Sequence, residues 1–194
     1  MKVKAVVSIC KKSKVFSLYD DISPEGEVGA QWLGDMGAAY PLTGFPLLEE
    51  KTIYTMFDIT EKQAEKIHFQ HGPLPEAINF KHTDSSERML DEAKLSIGMK
   101  GRILMPLQTT RGLVFIDTAY LAPFADIADM LELYERAMPS GQVYIAAKTG
   151  LLLAGIILPF QAINKQFVEQ LDALLAQCRI AYEENQKRAT VAPQ

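Results

Sequence analysis

Residues 101–137 read GRILMPLQTTRGLVFIDTAYLAPFADIADMLELYERA, and residues 141–177 read GQVYIAAKTGLLLAGIILPFQAINKQFVEQLDALLAQ. Each stretch opens on glycine and enters a β-prone run. Each turns near a second glycine, Gly112 or Gly150, and continues into another apolar run. Each then reaches Pro-Phe, at 123–124 and 159–160, and leads into a segment with helical spacing of apolar residues. Ile127 and Leu131 in the first answer Ile163 and Phe167 in the second. The predicted order is strand, strand, helix, twice over. That is a repeated ββα unit with a period of about 36–40 residues. The runs 103–107, 113–116, 143–147 and 151–158 are predicted as central strands. The fold class that follows is α+β, with antiparallel β-hairpins packed against helices.

The last helix is predicted from Gln161 to about Gln186. Ile163, Phe167, Leu171, Leu174, Leu175, Cys178 and Tyr182 recur at steps of three and four and form one continuous stripe. At 1.5 Å per residue such a helix spans about 38 Å, more than a small sheet covers.

The N-terminal half is less regular. Residues 3–9, VKAVVSI, and 15–19, VFSLY, read as two strands of a hairpin around CKKSK. Residues 22–44 are rich in Gly and Pro and read as loops around short strands near 31–33 and 38–40. Residues 49–57 suit a helix or a strand. Thr60 with Gln63 has capping-box spacing, which predicts a helix from Glu61 to about Gln70, stopped by Gly72-Pro73. Asp84 with Glu87 has the same spacing and predicts a second helix carrying Met89, Leu90, Ala93 and Leu95. The expected organisation is an N-terminal α+β region at 1–98 with a loop-rich insertion at 22–48, two ββα units at 99–186, and a disordered tail at 187–194.

Composition narrows the function classes. The chain has 194 residues, 48% apolar and 23% charged, with 20 basic residues against 24 acidic ones. That mixture builds a core, and it makes no global case for nucleic-acid binding. The charge is unevenly spread: residues 2–14 hold five lysines and no acid, and 20–50 hold seven acids and no base. Cys10 and Cys178 read as small buried hydrophobes. The most apolar stretch, 151–160, is about half the length of a membrane helix and meets Pro159. No signal-peptide core follows the first lysines. A cytoplasmic protein is the expectation.

Among motifs, no phosphate-binding glycine loop and no nucleophile elbow is present, so no cofactor is expected. Lys148-Thr149-Gly150 resembles the Lys-Thr-Gly element of penicillin-binding proteins and serine β-lactamases. That family also carries a Ser-x-x-Lys helix and a Ser-Asp-Asn element. Ser8 and Lys11 have the first spacing, and no Ser-Asp-Asn occurs. The bland reading of the three residues is a hairpin turn. His68 and His71, three apart at a predicted helix end, together with His82 and Asp84, are a candidate metal set. Lys11, Lys12, Lys14, Arg102 and Arg111 are a candidate phosphate-binding patch. Trp32, Tyr40 and Phe45, and Tyr182 on the last helix, are candidate interaction residues. Asp35 and Asp117 read as turn or cap residues.

These readings favour a non-catalytic scaffold or protein-interaction module over an enzyme, with a homodimer or protein partner and no membrane. The alternatives are a metal-dependent hydrolase using the His/Asp set, and a nucleic-acid accessory protein.

Overall fold

The computed structural model describes residues 1–91 and 95–191, the last three of these by backbone alone. Helix α1 (Val3–Ser13) is followed by β1 (Val15–Ile22), β2 (Val28–Gly34), β3 (Ala38–Pro41), α2 (Glu50–Met56), α3 (Glu61–Ala64), β4 (His68–Pro73) and β5 (Arg88–Met89). Then come β6 (Ile97–Met99), β7 (Arg102–Thr109), β8 (Gly112–Asp117), two 3-10 turns at 118–124 and 128–130, β9 (Leu131–Ala137), β10 (Val143–Thr149), β11 (Leu152–Ile157) and α4 (Lys165–Val191). Contacts divide the chain into two units, Met1–Phe160 and Gln161–Gln194.

The first unit is built on an eight-stranded sheet in the order β4-β1-β2-β3-β11-β10-β9-β5, which draws strands from both sides of residue 98. A second sheet holds β6, β7 and β8. All neighbours are antiparallel except β1 and β4. The α+β class with hairpins packed against helices is therefore what the chain adopts. The four predicted runs are strands β7, β8, β10 and β11; β7, β10 and β11 are central in their sheets, whereas β8 is the edge of the smaller one.

Strand alternation explains how the large sheet is buried on both faces. Leu33, Tyr40, Ile145, Ala147 and Ile157 face one core, shared with Val6, Val7 and Cys10 of α1 and with Leu107 and Ile116 of the smaller sheet. Trp32, Ala39, Tyr144, Ala146 and Ile156 face the other way. There the segment 74–80 covers them with Leu74, Ile78 and Phe80. A strand buried on both faces needs no polar alternation, so the run at 143–147 is apolar throughout.

Four expectations are corrected. Residues 3–9 are helical, not a strand: Val6, Val7 and Cys10 lie on the buried face of α1. Tertiary packing outweighs the β-propensity of its valines. Lys11 and Lys12 sit in its last turn, where cations suit the helix dipole, and Lys14 ends it at φ 60°. The Thr60–Gln63 capping box is present, but the helix stops at Ala64 and His68–Pro73 pairs with β1 as a strand. The second predicted cap opens no helix among the described residues; Arg88–Met89 is a short strand, and Ala93 lies outside the described residues. The helix expected at 125–137 is a 3-10 turn followed by β9, which pairs with β10 from Leu131 to Ala137. The two stretches thus share a hairpin but not a following α-helix.

Cysteine burial is as expected at Cys10 and not at Cys178, which is exposed. The Cys10 thiol donates to the Gly34 carbonyl at 3.1 Å, and burial pushes its pKa well up. The second unit contains α4, 27 residues long. No helix among the described residues is long and apolar enough to cross a membrane.

Candidate interaction surfaces

One surface is a groove on the Trp32 face of the large sheet. It has a volume of about 750 Å³ and lies between the ends of β2 and β11 and the segment 74–82. Trp32 and Phe80 meet edge to face at 4.9 Å between centroids. Leu74, Ile78 and Leu153 add apolar lining, and Asp21, Glu76 and Lys81 supply charge. A smaller hollow of about 230 Å³, which includes Phe45 and Leu47, shares Ala30, Pro41 and Thr43 with it. The volume suits a bound segment or ligand.

The wall of this groove is held by buried charge. Glu87 lies between two cations whose side chains are almost wholly buried, Arg136 and Lys148. Arg136 uses all five of its N–H donors. Its Nε and one terminal nitrogen donate to Glu87 Oε2 at 2.9 and 2.5 Å. The remaining bonds go to the carbonyls of Asn79, Lys81 and His82 at 3.0, 2.9 and 3.2 Å. Lys148 donates to Glu87 Oε1 and sits 4.9 Å from the Tyr134 ring centroid. Tyr144 Oη accepts from the Asn79 N–H at 3.0 Å. Lys148, singled out for its Lys-Thr-Gly context, therefore works as a structural cation beneath a hairpin turn.

Asp84 stiffens the same loop. It accepts from the Ser86 N–H and hydroxyl at 2.8 and 2.6 Å and from the Asn79 amide at 2.7 Å. Burial opposes its ionisation, but the Ser86 and Asn79 bonds and the charge of Arg136 outweigh that and hold its carboxyl below the usual 3.8. A carboxylate with a lowered folded pKa adds stability above its unfolded value, and that stability is lost as pH falls through the lower folded value. Protection factors of the amides across 79–87, which correct for the slower intrinsic exchange in acid, are expected to fall on going from about pH 5 to about pH 3, and Asp84→Asn should flatten that dependence. Equal acid sensitivity in the variant would assign it to other groups.

The remaining candidate metal residues do not gather with Asp84. His68 and His71 stand on β4, where a separation of three residues puts side chains on opposite faces. His71 Nε2 pairs with Asp20 Oδ2 at 2.8 Å. His82 Nδ1 accepts the Leu153 N–H at 3.1 Å. Among the described residues no group of three or more His, Cys, Asp or Glu could hold a metal ion.

Part of the candidate phosphate patch does converge. Lys12 and Arg102 border a cleft of about 230 Å³ together with Lys100, Asp35, Asp117 and Tyr120. Its floor is already neutralised. Arg102 donates to Asp117 at 2.8 Å and lies 5.2 Å from the Phe160 ring centroid. Asp35 Oδ1 accepts the Gly37 and Ala38 N–H groups at 2.8 and 3.1 Å, and the Tyr120 hydroxyl donates to its Oδ2 at 3.3 Å. Burial, then the Asp35 charge, pushes Tyr120 up to about 12. Lys11 donates instead to the Phe57 carbonyl at 2.8 Å, Lys14 is exposed past the end of α1, and Arg111 lies in the β7–β8 turn beside Gly141. Asp35 and Asp117 are the turn and cap residues that their context predicted.

Of the candidate interaction residues, Trp32 and Phe45 line the adjoining hollows. Tyr40 is fully buried, and its hydroxyl donates to the Tyr120 carbonyl at 2.8 Å. Tyr182 is exposed on α4, in line with exposed Val168, Leu171, Leu174 and Leu175. The sequence reading took Glu87 only as a capping-box partner of Asp84 and missed Arg136, whose one signal was charge inside the strand-like run LELYERA at 131–137, which was read as helix. No family model, curated protein or solved structure significantly matches the chain.

Proposed function

We propose that the protein is a non-catalytic, self-associating interaction module whose copies are joined through α4. The observation that carries this reading is the exposed apolar stripe of a 27-residue helix. Leaving such a stripe in water forgoes about 25 cal/mol for each Å² of apolar surface. Its side chains offer on the order of 600 Å² per helix, near the roughly 800 Å² per partner of a standard interface. A second copy is the simplest cover, because a two-fold axis presents the same stripe to itself.

Charge selects the antiparallel arrangement. Residues 165–176 carry Lys165 against Glu169 and Asp172, whereas 177–191 carry Arg179, Lys187 and Arg188 against Glu183 and Glu184. Antiparallel pairing sets the net-negative half of one helix beside the net-positive half of the other. Light scattering over a tenfold dilution series is expected to show a species of twice 21.6 kDa that dissociates on dilution. Leu174→Glu combined with Leu175→Glu should yield the 21.6 kDa form, with the melting of the strand-rich unit unchanged. A 21.6 kDa species persisting at the highest concentration would remove the proposal.

A further inference from the structure

We infer that the slot left in the large sheet beyond β3 is a docking site for an extended, basic segment of a partner protein, which enters as a strand beside β2. The inference concerns the first unit alone and stands whether or not α4 self-associates.

The slot follows from unequal strand lengths. β2 has seven residues and β3 has four. Their pairing ends at Trp32 and Pro41. The Leu42 N–H makes one more bond, to the Gln31 carbonyl at 2.8 Å, and Gly44 at φ +82° then turns the chain away. Burial records the missing neighbour. Gln31 to Gly34 are buried, whereas Gly29 and Ala30 are exposed. On the far side, Gly155 to Ile157 are buried; past them Ala154 is half-buried, Leu153 is buried within the Trp32 cluster, and Leu152 is exposed. One absent strand leaves a gap of about 10 Å between its neighbours, the width that an inserted strand fills.

The β2 edge is the one that can pair. Pairing with β3 covers only Trp32 to Gly34, so Val28–Ala30 have β1 on one side and no strand among the described residues on the other. The β11 edge is partly used, because the Leu153 N–H is bonded to His82. An incoming strand therefore pairs along β2 and lays apolar side chains on Trp32 and Leu153.

Both walls are preorganised. The buried Gln31 amide donates to the Leu48 carbonyl at 3.1 Å, and its oxygen accepts the Leu48 N–H at 2.6 Å, which fixes the chain leaving β3. Arg136 fixes the opposite wall through three carbonyls. A shape held before binding leaves less ordering entropy to lose on binding. Charge names the occupant. Asp21 and Glu76 are exposed at the rim against one lysine, Lys81. A segment alternating apolar and basic residues matches both the floor and the rim.

Trp32 is the single tryptophan, so its emission reads the slot directly. The full chain is titrated with a blocked hexapeptide of alternating Lys and Val, with a twin bearing Glu for Lys, and with two twins N-methylated on either alternate set of amides. The Lys peptide is expected to give a saturable shift, and the Glu twin should bind at least about tenfold more weakly. One N-methylated frame should lose binding by a similar factor, because a strand pairing on one side uses one set of amides. Leu152→Arg, at a site 59% exposed, should weaken the Lys peptide without altering the melting curve. Equal binding of Lys and Glu peptides, retention by both N-methylated frames, or no saturable shift up to about 1 mM would overturn the inference. A Trp32 shift that follows protein concentration without peptide would also overturn it, and would place a second copy of this chain in the slot.

Discussion

Replacing Glu87 by glutamine is expected to lower the melting temperature of the strand-rich unit by about 6–20 °C. The substitution keeps the volume and removes the anion between Arg136 and Lys148. Both cations are buried, with side chains 0% and 4% exposed, so neither can turn to water. Breaking a buried ion pair by removing one partner costs about 3–5 kcal/mol, because it strands the other charge. In a unit of this size each kcal/mol shifts the midpoint by about 2–4 °C. The local consequence is as specific as the global one. Arg136 loses its main counter-ion and with it the geometry that holds the carbonyls of Asn79, Lys81 and His82. Trp32 emission should then move to longer wavelength, because Phe80 packs on Trp32 from the same loop. A melting shift under about 2 °C would mean that the two cations find water or another anion once Glu87 is neutral.

Gly34→Ala is expected to destabilise the same unit by about 3 kcal/mol or more, at the upper end of what overpacking does. A Cβ at Gly34 falls 1.8 Å from the Ala38 carbonyl oxygen and 2.8 Å from the Ala39 Cα. These are backbone atoms of the next strand, so no side chain can swing aside. Relief requires β3 to move away from β2, and β3 joins β1 and β2 to β11, β10 and β9 within the sheet. Gly29→Ala is the matched control. A Cβ there meets only the Asp21 carbonyl oxygen at 4.0 Å. Its effect should be within about 1 kcal/mol of zero, since the smaller entropy of the unfolded chain acts in its favour. Chemical denaturation of the two variants side by side checks the contrast, and equal midpoints would contradict it.

The two β-hairpins at 102–117 and 143–157 were legible because each needs only local information. Apolar runs of strand length flank turns in which Gly112 and Gly150 take positive φ. The capping box at Thr60 was legible for the same reason, since both of its bonds close within four residues. The errors have a common form. Residues 3–9 are rich in valine and were read as strand, yet Val6, Val7 and Cys10 also have helical spacing. The choice is made by a core whose other members lie far along the chain. Residues 125–137 carry enough Ala and Leu for a helix, but β10 offers a register of seven residues, and pairing prevails. His68 and His71 share a face only on a helix, so the reading of α3 carried the reading of the histidines with it.

What the sequence alone determined is whatever is encoded within a few residues: the α+β class, the hairpins, the uneven charge and the apolar stripe of α4. These rest on backbone preferences and on the periodicity of apolar side chains, both of which are local. Only the tertiary structure decided which strands became neighbours. That choice pairs Glu87 with Arg136 across 49 residues and with Lys148 across 61, and ends β3 short of β2 and β11. Burial and low dielectric turn three ordinary charged residues into one coupled network. They act only once the chain has closed, so no window of sequence contains them.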